Sequence, residues 1–249
     1  MEDLTKVITA TEFKKNLGKY LDYAIDNHDV VILKNGKKAA RLTPYINDIE
    51  RYYTAKETAQ DYQYGGKKVS YEEFMEIYEK SDLRMEYING EIYLLSSPST
   101  FHQDISGNLY VLLRNYLKGK KCKVFYAPFD VHLFKQGFDT PDVMQPDLLI
   151  ACDFNETVTD KDLYMGTPTL TVEILSRATR SKDMIDKLNT FMLSGVKEYW
   201  IIDPKKHSLI QYGFLDNEID EYHVYNLKDV LKSYYFKDLS FSIEELFEN

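Results

Sequence analysis

The 249-residue sequence is 44% hydrophobic and 29% charged, which supplies a buried core and excludes a disordered chain. Its formal net charge of -9 argues against a protein that coats nucleic acid non-specifically, because an acidic surface repels phosphate. The start, MEDLTKVITATEF, has no secretory character and no apolar stretch approaches the ~20 residues that span a bilayer, so a cytoplasmic protein with no membrane partner is expected.

Taken in chain order, KVIT is a short apolar run, Thr9 or Thr11 can cap a helix, and Phe13, Leu17, Leu21 and Ala24 recur at helical spacing. A strand and then an amphipathic helix over residues 11–26 are predicted. DVVILK and KAARLTPY flank Asn35-Gly36, a pair that supplies the positive φ angles of a tight hairpin. This β-α-β-β unit, residues 1–45, buries too little apolar surface to be comfortable alone, so a homodimer is predicted. Residues 46–67 are polar, mixed in charge and include Gly65-Gly66, which reads as a connecting helix and flexible joint. Charge divides there, with a net of +1 over residues 1–67 and -10 over 68–249.

In residues 68–249, SYEEFMEIYEK is a helix capped by Ser70, with Glu73 at capping-box spacing. RMEYINGEIYLLSSP makes two strands around Asn89-Gly90. TFHQDISGNLYVLLRNYLKG is a helix with Ile105, Leu109, Leu112, Leu113 and Tyr116 on one face. Strands come next at CKVFYAP, DVHLF, QPDLLIACD and LTVEILS, then a helix over about residues 182–194, then strands at EYWIID and SLIQYGF. Strands outnumber helices, so an α/β (α+β) arrangement with a mixed central sheet flanked by helices is expected. Cys122 and Cys152 lack metal-site spacing and read as two buried thiols in a reducing compartment, with no structural zinc. Trp200 reads as core.

Two acids stand in apolar runs: Asp147 opens LLIAC, and Glu173 lies between Val172 and Ile174. A lone buried carboxylate is costly, so each needs a partner, a metal or a proton. The bland reading pairs each with Lys or Arg, or points it to solvent. Two such residues on neighbouring strands favour Mg²⁺ (or Mn²⁺), which takes oxygen ligands, keeps several waters and can activate water against a phosphate.

VITATEFKKNLGKYLDYAIDNHDVVILKNGKKAARLTPY resembles the N-terminal domain of Phd/YefM antitoxins, which implies a dimer that binds operator DNA. Lys14, Lys15, Lys19, Lys34, Lys37, Lys38 and Arg41 are then the candidate phosphate contacts; without the resemblance they would read as a solvated face. From about Tyr71 onward, YINGEIYLLSSPSTFHQDISGNLYVLL, QPDLLIACD, LTVEILSRATRSKDMIDKL and SGVKEYWIIDP, in that order, resemble the Uma2 branch of the PD-(D/E)XK nucleases. That resemblance implies a restriction-endonuclease-like core and metal-dependent cleavage of a nucleic-acid phosphodiester; double-stranded DNA is the expected partner, with RNA left open as the substrate.

By position, the family's acids match Asp147 and Glu173 as catalytic and metal-binding residues. Leu175 occupies the usual place of the superfamily lysine, and the Uma2 pattern puts a lysine on the next helix, at Lys187. Lys187 lies on the edge of the stripe Met184, Leu188 and Phe191 and can reach the sheet; otherwise it is a surface lysine paired with Asp183. Glu91 and His102 are further candidate ligands or phosphate contacts, against a solvated Glu and a capping or packing His, and Gln145, two residues before Asp147, is a possible neighbour of the metal site. A competing reading is a catalytically idle, dimeric DNA-binding regulator of a toxin-antitoxin operon.

Overall fold

The protein is described by a computed structural model covering residues 6–25, 30–42, 65–159, 164–176 and 180–248, with backbone only for 180–184. The connecting segment expected at 46–67 lies outside the described residues up to position 64. The chain divides into two compact units, Met1–Ala59 and Gln60–Asn249.

In the first unit, β1 (Lys6–Thr9) pairs in parallel with β2 (Val30–Lys34), and β2 pairs antiparallel with β3 (Lys37–Leu42). Asn35 and Gly36 take φ of 53° and 74° in the hairpin, the left-handed backbone that Asn-Gly favours. Thr9 caps α1 (Ala10–Lys15) by accepting the Glu12 N–H. The single helix expected over residues 11–26 is instead two, because Asn16 leaves helical geometry (φ -126°, ψ 37°) before α2 (Leu17–Ile25). Tyr20 packs with Ile8, Val30 and Ile32 and donates to Glu12 Oε1, and Ala24 is buried as well. Leu17, Leu21 and Ile25 are left outside, 48%, 41% and 70% exposed, so the inward stripe read from sequence is corrected at Leu17 and Leu21.

The second unit begins with α3 (Tyr71–Lys80), capped by Ser70, and the hairpin β4 (Met85–Ile88) and β5 (Glu91–Leu94). Then come α4 (Thr100–Tyr116), β6 (Lys123–Tyr126), β7 (Val131–Leu133), β8 (Asp142–Met144) and β9 (Leu148–Ala151). The short α5 (Phe154–Thr157), β10 (Leu170–Ile174), α6 (Arg180–Leu193) and β11 (Glu198–Asp203) are next. The chain closes through β12 (Ser208–Leu215), β13 (Glu218–Asn226), β14 (Val230–Lys232) and β15 (Ser240–Ser242).

The main sheet has the order β13-β12-β11-β10-β9-β6, and a second sheet the order β5-β4-β8-β7. Only β10 and β11 pair in parallel within the main sheet, joined by the helical crossover α6, as parallel neighbours require. Side chains alternate between its faces. Leu148, Ile150, Val172, Ile174, Trp200 and Ile202 pack with Ile105, Leu109 and Leu113 of α4. Leu149, Ala151, Leu175, Tyr199 and Ile201 pack with Phe191 of α6 and with Ile88, Val131 and Met144 of the second sheet. Trp200 is fully buried, as expected of a core residue.

Four strands escaped the sequence reading. β8 and the β14-β15 pair are three residues each, too short to show a period. β13, EIDEYHVYN, is an almost wholly exposed edge strand whose polar composition hides it; its signal is the hairpin Asp216-Asn217, with φ of 52° and 61°. The reading of Cys122 and Cys152 as two thiols is also corrected. β6 and β9 pair Lys123 with Ala151, the next antiparallel step sets Cys122 opposite Cys152, and the two form a disulfide. Cysteine usage therefore gives no support to a reducing compartment.

Candidate active site

The site forms where β9 and β10 part. Their last paired residues are Val172 and Leu148, and one further step would set Glu173 opposite Asp147. There Asp147 substitutes its side chain for a backbone carbonyl: Oδ2 accepts the Ile174 N–H at 2.7 Å, while the Asp147 carbonyl accepts the Ala127 N–H at 3.0 Å. The strand-opening position explains why an acid is tolerated at the head of LLIAC, since its side chain completes a ladder and stays 19% exposed. His102 stands in the first turn of α4, its N–H held by the Ser99 hydroxyl, and its Nε2 lies 3.1 Å from Asp147 Oδ2.

Glu173 projects from β10 toward α6. Lys187 Nζ donates to Glu173 Oε1 at 2.6 Å and lies 3.0 Å from Glu86 Oε1. All three side chains are buried, at most 4% exposed, so the ammonium is desolvated only because carboxylates surround it. Glu86, on β4, also accepts the Gln145 N–H at 3.0 Å. The sequence reading missed Glu86. Its signal was the one used for Glu173, an acid between buried apolar neighbours, here Met85 and Tyr87.

Of the other candidates, Gln145 contributes its backbone only. Its side-chain amide accepts from Arg84 Nε at 3.0 Å and donates to Asp130 Oδ1 at 2.8 Å, so it is committed elsewhere. Glu91 opens the edge strand β5, bridged to Lys68 and hydrogen-bonded to Tyr93; no described contact joins it to Asp147, Glu173 or Lys187. Nearby Tyr78 donates to Asp130 and, with burial as the main cause, its hydroxyl is held well above the ordinary tyrosine range. In the N-terminal unit, Lys14, Lys15, Lys19, Lys34, Lys37, Lys38 and Arg41 are all exposed.

The donors at the parting strands suit a hard divalent cation. Asp147 and Glu173 offer carboxylate oxygens, of which Mg²⁺ takes one or two while keeping several waters, and Asp147 is open to solvent. Among the described residues no three His, Cys, Asp or Glu side chains make a closed cage, so water and substrate would have to complete the shell.

Residues 71–244 match the model of the Uma2 family, whose description reads "Putative restriction endonuclease". The chain belongs to the Uma2 family. Glu86, His102, Asp147, Glu173 and Lys187 all fall within the Uma2 span. Residues 5–62 match the model described as "Antitoxin Phd_YefM, type II toxin-antitoxin system". An uncharacterized protein of Synechocystis sp. is 26% identical over 156 residues, covering 63% of this chain and 74% of its own. A crystal structure from Anabaena variabilis, titled "a putative nuclease belonging to DUF820", superposes with a TM-score of 0.52 at 19% identity, over 67% of this chain and 91% of that one. The likeness establishes a shared restriction-endonuclease-like fold for this Uma2 member.

Proposed function

We propose that this protein is a metal-dependent endonuclease that hydrolyses DNA phosphodiesters in the cytoplasm, and that its N-terminal unit, as a homodimer, brings the nuclease to double-stranded DNA. The observation that supports this reading is that Asp147 and Glu173 lie one register step beyond the last β9-β10 pair, Asp147 held by His102 and the Ile174 N–H and Glu173 by Lys187, which also pairs with Glu86. Glu86 and Glu173 share one ammonium, and a divalent cation beside Glu173 and Asp147 would add positive charge where the acids outnumber it. Mg²⁺ or Mn²⁺ held by Asp147 and Glu173 would polarise the scissile phosphate and activate a water.

The chain's own residues then have separate tasks. The Ile174 N–H anchors Asp147 Oδ2, which leaves Oδ1 for a ligand. Glu86 is a second carboxylate partner of Lys187, so the ammonium would stay held if Glu173 turned to a cation, and it would offset the charge that grows on the phosphate. His102 orients Asp147. The exposed stripe Leu17, Leu21 and Ile25 supports the dimer, and the seven exposed basic residues support phosphate contact.

The idle-regulator reading draws on one observation: Glu173 and Asp147 already have partners in Lys187 and His102. One experiment separates the two. The purified protein, Asp147→Asn and Glu173→Gln are incubated with plasmid and Mg²⁺ or Mn²⁺, with and without chelator, beside a gel-shift on DNA upstream of the reading frame. Chelator-sensitive cleavage lost in both variants supports the nuclease; a shift with no cleavage supports the regulator.

A further inference from the structure

A second buried charge cluster lies outside the catalytic group. Lys135 Nζ and Asp142 Oδ2 are 2.7 Å apart, with both side chains 3% exposed. Asp142 Oδ2 also accepts from Thr190 Oγ1 at 2.7 Å, and Oδ1 accepts the Asn89 N–H at 2.9 Å. Lys135 Nζ donates to Asn89 Oδ1 at 2.6 Å. One carboxylate thus gathers four parts of the chain: the segment after β7, β8, the β4-β5 turn and α6.

Two of those parts carry the catalytic ammonium and its hidden partner. Thr190 lies three residues beyond Lys187, on the same face one turn along, and is 1% exposed. Asn89 lies three residues beyond Glu86, in a turn whose φ of 53° fixes its direction. A second tie, the Gln136 N–H to the Leu193 carbonyl at 2.9 Å, joins the segment carrying Lys135 to the last turn of α6. A buried ion pair seldom stabilises a fold more than an apolar filling would. What it does supply is direction, since a carboxylate with three donors tolerates little sliding of the elements that bring them.

We propose that Asp142, Thr190 and Lys135 are positioning residues that set the depth of α6 against the β4-β5 hairpin, and so the place of Lys187 between Glu86 and Glu173. The inference rests on the nuclease reading for its effect on rate, but not for its effect on Lys187.

The test uses the full chain carrying Thr190→Val, which keeps the shape and removes the donor, and Thr190→Ser, which keeps the donor. Plasmid cleavage with Mn²⁺ is read as kcat and KM, and the Lys187 side-chain ammonium is followed by ¹H–¹⁵N NMR, assigned by its loss in Lys187→Arg. T190V should lower kcat by ~10- to 100-fold with KM little changed, as expected when a reacting group is displaced by a fraction of an ångström to an ångström. It should also move the Lys187 resonance, and T190S should restore both. Should T190V not fold, Thr190→Ala reports the same two quantities. If wild type does not cleave, the nuclease reading falls, and if Lys187→Met cleaves like wild type, only the assisting role of Lys187 falls; in either case the resonance alone judges positioning, and a Lys187 resonance unmoved in T190V overturns it. If cleavage needs Lys187 yet T190V matches wild type in kcat and in the Lys187 resonance, the positioning proposal is overturned.

Discussion

Replacing Lys187 by Met tests the electrostatic core of the site without any assumption about catalysis. Met fills most of the lysine's volume but leaves Glu86 and Glu173, both buried, facing a place where the ammonium made contacts of 3.0 and 2.6 Å. Removing one partner of a buried ion pair costs about 3–5 kcal/mol, because the charge left behind has lost its compensation. For a unit the size of Gln60–Asn249, each kcal/mol is worth about 2–4 °C in Tm, so a loss of roughly 6–20 °C is expected at pH 8. Protonating one carboxylate relieves the repulsion, so the deficit should shrink as the pH is lowered from about 8 toward 5. Mn²⁺ should raise the Tm of K187M more than that of wild type, since the cation takes the vacated charge role. Urea titrations and thermal melts of wild type, K187M and K187R across that range give the comparison. A K187M protein within about 0.5 kcal/mol of wild type at pH 8, the size of an ordinary surface substitution, would refute the claim that Lys187 balances these acids.

Three further outcomes are expected. His132 is buried, its Nδ1 3.0 Å from the Tyr71 hydroxyl, and burial, opposed by Asp130, pushes its imidazole below the ordinary value. The unfolded chain then binds the proton first, so stability should fall as pH drops below about 6.5, by no more than about 1.4 kcal/mol per pH unit; His132→Gln should flatten that slope in urea titrations, and an unchanged slope would count against it. Leu17→Ser with Leu21→Ser should shift the full chain from dimer to monomer in sedimentation velocity while leaving Tyr20 and Ala24 buried; a wild type that is monomeric at all concentrations would remove the stripe's assigned role. Glu198 is fully buried and accepts from Trp200, Gln211, Ser233, Tyr234 and Tyr235, so Glu198→Leu should cost more than about 3 kcal/mol by stranding several donors without changing divalent-cation affinity measured by calorimetry.

The elements that could be read in advance are those whose signal is local. Asn35-Gly36 and Asn89-Gly90 mark hairpins because few residues tolerate positive φ, and α4 shows itself because Ile105, Leu109 and Leu113 must all face one sheet. The hidden elements depend on partners distant in the chain. β13 becomes a strand by pairing with β12 across solvent, with no apolar period to announce it. Cys122 and Cys152 meet because β6 and β9 happen to share a register, and no spacing rule contains that register. The break at Asn16 likewise turns Leu17 and Leu21 outward although both sit at good helical spacing.

The site shows the same division more sharply. An acid inside an apolar strand was the sign that singled out Glu173, and Glu86 and Glu198 carry the same sign with equal burial. Only their surroundings distinguish them. Glu198 is ringed by neutral N–H and O–H donors, which satisfy a carboxylate in place and leave nothing for a cation to add. Glu86 and Glu173 instead share one ammonium, and Glu173 adjoins the opening where Asp147 meets solvent. A buried acid thus reports that a charge has been compensated, and the compensating group decides whether the residue is scaffold or chemistry. That group comes from α6, fourteen residues beyond Glu173, and α6 is itself tied through Thr190 to Asp142 of β8, which also accepts the Asn89 N–H of the hairpin turn. On the proposed nuclease reading, what happens between β9 and β10 depends on how α6 docks; Lys187 is reached through the Uma2 resemblance with the helical stripe in support, whereas Glu86 shows only the sign it shares with Glu173 and Glu198.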